Sequence, residues 1–466
     1  MKAIIPELKK GEDPLYHQLY EYLKTGILNG DFREGEKLPS IRALASDLKV
    51  SVTTTNLAYQ QLLVEGYITS KPQSGYYIND INSPSESADA KKPVFLERGD
   101  FDPFIEAKNE EKSKQYYDEA IFNFVKWKKC VNKILNEYSH ELLSDSDSQG
   151  EYSLRYEIAS YLYRSKGIST MPENIVIGAG LQQISTQLAR LLQLNQVSNL
   201  MFETPGYSPA HNVFRDMGFS MIPVPVGKDG IEIESFPKPI RCAVYTSPSN
   251  QFPTGAVMPI SKRYRILELV EQNDSYIIED DYDSELRYFG KPIPPLKSLD
   301  SYDRVIYLGS FSSTLFPAIK ISYMVLPGKL EDIFKAQKDN YTQTCSKSEQ
   351  LTLAYYMQNG YYQANIRKLR RLYSQKLQLS INAFKKYARN KVQLLHSSSG
   401  INMLIRVKSV KDGHDLKKIA RDMGISVDFI ESSTKEENSK ELIFHFNQIP
   451  VNDIDKAIEK LVKEWT

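Results

Sequence analysis

The sequence predicts a multidomain α/β chain, with a small α+β unit at the N-terminus and a smaller α+β subdomain at the C-terminus. Three observations carry this. Composition breaks once, over residues 81–119: residues 81–93 hold one apolar side chain larger than Ala, and 97–119 are charged without a period, as a linker would be. Before the break, Leu15, Leu19, Leu23 and Ile27 recur at four-residue spacing, the mark of an amphipathic helix. After it, helical and strand-like runs alternate to the end, as in a sheet covered by helices. The expected divisions are 1–80, the linker 81–119, a large domain 120–340, and 341–466 for connecting helices and the small subdomain.

Composition narrows the function. The 466 residues carry 59 Lys+Arg against 58 Asp+Glu, which argues against a polycationic tail and against global disorder. No apolar run approaches the ~18 residues of a membrane helix, and the start lacks the apolar stretch of a signal peptide. Cys130, Cys242 and Cys345 are odd in number and far apart, so neither a disulfide framework nor a CxxC metal site is expected. A cytoplasmic protein without metal is the expectation.

In the first unit, Asp13-Pro14 reads as an N-cap followed by proline at the first helical position, and Gly30 as the stop. Pro39-Ser40 starts a second helix, with Ile41, Leu44, Ala45 and Leu48 on one face. Lys49-Val50 is a short turn, and Ser51 caps a third helix ending near Gly66. Tyr67–Lys71 and Tyr76–Asn79 flank Pro72–Gly75 as a hairpin. Three helices and a hairpin, with a tight turn between the second and third helices, describe a winged helix-turn-helix. The third helix would enter the major groove of duplex DNA with Ser51, Thr53, Thr54, Thr55 and Asn56. Lys37, Ser40 and Arg42 would flank the second helix, and Lys71 and Gly75 would sit at the wing. Charge is thin here: residues 1–80 hold nine Lys+Arg against ten Asp+Glu, and between 37 and 76 the balance is four to two. Few phosphates are neutralised per subunit, so useful affinity calls for a homodimer.

Asp13-Pro-Leu-Tyr16, Gly35-Glu-Lys-Leu-Pro-Ser40, Arg42-Ala-Leu-Ala45, Ala58-Tyr-Gln-Gln-Leu62 and Glu65-Gly-Tyr67 resemble the DNA-binding domain of GntR-type bacterial regulators. That family usually has Arg where this chain has Val52, so the resemblance implies an altered target sequence.

In the large part, strands are expected at 173–178, 275–279 and 305–308, and a helix from Leu181 to Leu194. Polar groups after the strand ends fit a ligand site at the carboxyl edge of a parallel sheet. In order along the chain stand Gln149-Gly-Glu-Tyr-Ser-Leu-Arg155, Glu203-Thr-Pro-Gly-Tyr207, Ser247–Gly255, Glu279-Asp-Asp-Tyr282 and Phe289-Gly-Lys-Pro292. This order resembles fold-type I aminotransferases, and the whole chain resembles a MocR/GabR-type transcriptional regulator. The resemblance implies pyridoxal phosphate stacked on Tyr207. Asp280 would hold the ring nitrogen and Tyr282 the ring hydroxyl. Ala179, Gly180, Gln182, Ser310 and Ser312 would surround the phosphate, and Thr246 to Asn250 would close another side.

The pattern then breaks. The resembling regulators read Gly-Thr/Ser-Phe-Ser-Lys-Thr-Leu, whose lysine forms the Schiff base; this chain reads Gly309-Ser-Phe-Ser-Ser-Thr-Leu315, with Ser313 at the lysine position. The phosphate-binding arginine is Lys320, the histidine before Gln-Phe/Tyr-Pro is Asn250, and the substrate-carboxylate arginine is Ile443. A serine hydroxyl forms no imine. Three explanations stand. Lys320 serves as a displaced lysine; the site holds pyridoxal phosphate, a vitamer or another small anion non-covalently; or the domain is a ligandless dimerisation body. A small-molecule effector would be pyridoxal phosphate, a vitamer or an amino-acid-like compound. The expectation is a DNA-binding transcriptional regulator without catalytic residues. The alternative is a pyridoxal-phosphate-dependent aminotransferase with an accessory DNA-binding domain.

Overall fold

The computed structural model describes residues 6, 8, 13–71, 74–79, 116, 118–237, 240–288, 293–396, 399–430 and 438–466. They belong to two units, Met1–Phe101 and Asp102–Thr466. The motif 289–292, the hairpin residues Pro72 and Gln73 and most of the predicted linker lie outside the described residues.

In the first unit, α1 (Leu15–Leu28), α2 (Ile41–Asp47) and α3 (Val52–Val64) bury Leu19, Leu23, Leu44, Ala58, Tyr59 and Leu62 in one core. The hairpin β1 (Ile68–Lys71) and β2 (Gly75–Ile78) pairs antiparallel, Ile68 opposite Ile78. Ser40 Oγ accepts the Ala43 amide at 3.2 Å and Ser51 Oγ the Thr54 amide at 3.0 Å, so both expected caps form. The first helix corrects its expectation. Pro14, with ψ 139°, is itself the N-cap: its carbonyl accepts the His17 and Gln18 amides, while the Asp13 carboxylate meets His17 at 3.2 Å.

Thr55 requires a second correction. It is 0% exposed, in the inward row of α3 with Ala58, Tyr59 and Leu62, and so cannot reach DNA. The physical reason is the helical period: positions three, four and seven residues apart share a face.

The second unit is built on β3 (Ile175–Ala179), β4 (Asn199–Thr204), β5 (Ser220–Gly227), β6 (Gly230–Ile231), β7 (Ala243–Thr246), β8 (Tyr276–Asp280), β9 (Val305–Ser310) and β10 (Ile321–Val325). They form one sheet in the order β3-β10-β9-β8-β7-β4-β5-β6. The strands at its centre, β7, β8 and β9, are mainly apolar and buried up to their polar carboxyl ends, as helix-covered strands are. Helix α4 (Phe124–Glu137) precedes α5 (Tyr152–Lys166), and α5 covers one face through Leu154, Ile158 and Leu162 against Ile175 and Ile177. Helix α6 (Leu181–Leu194) covers the other through Ile184, Leu188 and Leu192 against Val176 and Ile278. Helices α7 (Ser208–Asp216) and α8 (Ile260–Gln272) follow β4 and β7.

The sheet is mixed rather than parallel. β4, β5, β7, β8 and β9 run parallel, but β10 is antiparallel to both β3 and β9. This reversal brings the amino end of β10, where Lys320 stands, to the carboxyl ends of β3 and β9.

A 28-residue helix, Tyr361–Ala388, leads into the small subdomain. There β11 (Val392–His396), β12 (Met403–Lys408), β13 (Val427–Ile430) and β14 (Ser439–Phe444) pair antiparallel in the order β11-β12-β14-β13. Phe384, Leu416, Phe444, Leu461 and Trp465 share its core. Two residues from the end of the predicted linker already belong to this unit: the Tyr116 amide donates to the Gly424 carbonyl, and Asp118 pairs with buried Lys376 at 2.6 Å. Among the described residues, no helix is long and apolar enough to cross a membrane, and no group of metal-ligating side chains gathers.

Candidate functional site

On the first unit, the outward row of α3 presents Thr53 and Asn56, with Val52 beside them at 52% exposure; Ser40, Arg42 and Ser51 are exposed next to it, and Thr54 is half-buried. At the wing, the ammonium groups of Lys37 and Lys71 lie 6.0 and 4.7 Å from the centre of the Tyr77 ring. Gly75 has φ +115°, and a Cβ there would come within 3.2 Å of Lys37 Cε, so glycine allows both the turn and the lysine's approach. These groups make one positive corner. Tyr77, which gathers it, escapes a sequence reading because it looks like any strand tyrosine.

On the second unit, the carboxyl ends of β4, β7, β8 and β9 converge. Asp280 ends β8, buried, and accepts the Tyr245 hydroxyl at 2.7 Å. Burial pushes its carboxyl up to about 6; Tyr245 opposes the shift and neighbouring Asp281 adds to it. Glu203, near the end of β4, accepts Thr246 Oγ1 at 2.5 Å, Gln251 Nε2 at 3.2 Å and the Ser247 amide. Burial still lifts it to about 7. The Phe252 ring stands edge-on to both Tyr207 and Tyr282, at 6.2 and 6.1 Å, which links the two expected ring contacts. Asn250 Oδ1 accepts Ser399 Oγ at 2.9 Å.

Groups behind the site hold these loops. Arg263 is fully buried and donates to the carbonyls of Pro248, Met258 and Pro294 at 2.8–3.0 Å, with Glu279 at 3.8 Å. This fixes the loop 247–255. Lys166 pairs with Asp281 at 2.8 Å and Glu285 at 2.9 Å, which fixes the turn after β8 and keeps Asp281 low in pKa against the effect of burial. Arg155, from the expected 149–155 motif, donates to the Gly150 and Pro172 carbonyls; its role is structural.

The expected phosphate groups also come together. Ile321 is opposite Ala179, and Ser322 opposite Ser310. Gly180, with φ +86°, is the N-cap of α6, and a Cβ there would stand 4.0 Å from Lys320 Cδ. Lys320, Ser310 and Gln182 are exposed, and Ser312 half-buried. A helix start, hydroxyls and an ammonium at one edge suit a phosphate. The Ala179 amide already donates to Thr344 Oγ1 at 3.0 Å, so it is the least available donor of the set. With buried Asp280, which has no cation partner among the described residues, the donor set fits a phosphorylated pyridine.

Ser313 is half-buried beside Asp283. Asp283 is buried with φ +55°, and burial raises its carboxyl to about 7 against the hydroxyls of Ser313 and Tyr282 and the Ile401 amide. Ile443 is buried in β14. Sequence reasoning missed Asp283, Glu203 and Tyr245 as site groups, because an acid or tyrosine at a strand end carries no signal until neighbouring strands are in register.

Residues 15–78 match the family of bacterial regulatory proteins, gntR family, and residues 114–447 match aminotransferase class I and II. The chain is 35% identical to the uncharacterized HTH-type transcriptional regulator YdeL of Bacillus subtilis (strain 168), over 99% of both chains. It is 30% identical to the probable rhizopine catabolism regulatory protein MocR of Rhizobium meliloti, over 89% of this chain and 86% of the relative. The chain belongs to the MocR-type transcriptional regulators. A further member, the pyridoxine biosynthesis regulator PdxR of Corynebacterium glutamicum, is 31% identical over 76% of both chains. The kynurenine aminotransferase of Pyrococcus horikoshii superimposes on this regulator with a TM-score of 0.63 and 24% identity, covering 75% of this chain and 89% of its own. That likeness shows the fold alone. The regulator therefore joins a GntR-type DNA-binding domain to an aminotransferase-like domain of the family that binds pyridoxal phosphate.

Proposed function

We propose that this regulator binds duplex DNA as a homodimer in the cytoplasm and senses a vitamin B6-type phosphate held non-covalently, without transaminase activity. The observation that carries the reading is Ser313: a neutral hydroxyl stands at the lysine position while the acid, aromatic and phosphate groups around it persist. Lys37, Ser40, Arg42, Ser51, Thr53, Thr54, Asn56, Lys71 and Gly75 form the DNA face. Arg42 and the outward row of α3 read bases, and the lysines contact phosphates.

Asp280 holds the ring nitrogen, Tyr207 stacks on the ring, Tyr282 meets its hydroxyl, and Asn250 closes one side. Gly180, Gln182, Ser310, Ser312 and Lys320 take the phosphate. Lys320 is a hydrated point charge and grips it with less geometric selectivity than an arginine fork. When bound, pyridoxal phosphate supplies an aldehyde and an electron-withdrawing ring. Ser313 can neither capture that aldehyde as an imine nor move a proton at a substrate α-carbon as a lysine amine does.

Dimerisation would cover apolar side chains that α4 and α5 leave exposed, among them Phe124, Val125, Tyr152, Tyr156 and Tyr163. Two linked heads raise the effective concentration of each on DNA.

Borohydride reduction of the protein with pyridoxal phosphate, followed by intact mass measurement, tests the reading. An unchanged mass alongside reversible binding by dialysis is expected. A reduced adduct on a lysine, with amino-group transfer between an amino acid and a keto acid, would instead establish an aminotransferase.

A further inference from the structure

Among the acids at the end of β4 and around the turn after β8, one stands apart. Glu203 accepts three donors, Asp280 accepts Tyr245, Asp281 pairs with Lys166, and Glu279 accepts the amides of Leu296 and Lys297 at 2.8 Å. Asp283, 2% exposed, has no hydrogen-bond partner of ordinary geometry on either carboxylate oxygen among the described residues. The groups that face it are neutral, the hydroxyls of Ser313 and Tyr282 and the Ile401 amide, and the neighbouring side chain of Glu285 is another acid.

Its position is set by the backbone. Asp283 takes a left-handed φ of +55°, which aspartate tolerates better than most residues, and its carbonyl accepts the Leu286 amide at 2.8 Å. Space beside it is kept by Gly400, where a Cβ would stand 3.0 Å from Asn250 Nδ2 and 3.6 Å from Asp283 Oδ2. A buried carboxylate without a cation is costly. The resemblance places a lysine at position 313, and the serine there leaves the acid without that cation.

We propose that Asp283 receives a primary ammonium of the ligand, so that the pocket selects the aminomethyl form of the vitamin B6 phosphates over the aldehyde and hydroxymethyl forms. The inference rests on the ligand reading above. An ammonium has three donors, and the two Asp283 oxygens and Ser313 Oγ are three acceptors. The aldehyde has no donor there. The hydroxymethyl group is similar in size but neutral, so it leaves the charge unmatched.

Calorimetry on the full-length protein at pH 8, where Asp283 is ionised, compares pyridoxamine, pyridoxine and pyridoxal 5′-phosphates. The amine is expected to bind about 10- to 100-fold more tightly than the hydroxymethyl form, the range for a hydrogen bond to a charged group. Asp283→Asn should abolish the preference, leaving the amine and hydroxymethyl forms within about threefold of each other. Ser313→Lys, which returns a cation of the protein's own to Asp283, should also abolish the amine preference. Equal affinities in the wild type, or a preference that survives Asp283→Asn, would overturn the ammonium assignment while leaving the B6 pocket standing. No heat with any of the three would overturn the pocket, and this inference with it.

Discussion

Replacing Asp283 by asparagine should stabilise the ligand-free protein at alkaline pH. Burial lifts the carboxyl from 3.8 to about 7; about three units at ~1.36 kcal/mol each set a ceiling of about 4 kcal/mol. The sign follows from proton binding. Between about pH 4 and 7 the folded state keeps a proton that the unfolded state has released, so the contribution to stability is full below pH 4 and lost as pH rises through 7. Asparagine has no such dependence, and its neutral amide fits where the charge does not. The variant should match the wild type near pH 4 and exceed it increasingly up to pH 8. Urea titration followed by tryptophan fluorescence reads this unit alone, because the two tryptophans, Trp127 and Trp465, both lie in it. Glu203, Glu279, Asp280 and His211 also have shifted pKa values, but they are common to both proteins and cancel in the difference. Equal stability at pH 8, or a gain that does not vary with pH, would refute the reasoning.

Three further outcomes are expected. Thr55→Val removes a buried hydroxyl that has no partner among the described residues and keeps the shape, so the first unit should gain about 1 kcal/mol with DNA affinity unchanged. A weaker gel shift would return Thr55 to the interface. Arg42→Ala should lower affinity for a specific operator by about 10-fold or more if the guanidinium reads a base, as measured by fluorescence anisotropy; wild-type affinity would remove Arg42 from the interface. Asp280→Asn should weaken all three B6 phosphates alike, since they share the ring nitrogen. In the wild type, binding should fall as pH drops below about 6, where Asp280 takes up its proton; calorimetry across pH 5–8 that finds no such fall would separate Asp280 from the ring.

Much of the architecture was legible along the chain because its signals are local. Four-residue apolar spacing marked α1, Ser40 and Ser51 capped the helices expected of them, and Leu181–Leu194 formed with its expected bounds. Ser313 and Lys320 were visible as departures within a run of matching residues. Thr55 was within reach too: its inward phase follows from Ala58, Tyr59 and Leu62, but the run of short polar residues around it masked that phase.

What no local pattern contains is the pairing of distant strands. The reversal of β10 brings Lys320 to Gly180 and Ser310, across gaps that no spacing rule spans. Asp283, in a run of acids, looks in sequence like a solvated loop. Only the closure of Ser313, Tyr282 and the 399–401 segment around it removes its water and leaves a carboxylate without a cation. The chain alone determined which chemical groups exist and which lysine is absent; their burial, and therefore their charge state and appetite for a ligand, arise from surfaces contributed by residues far apart in sequence.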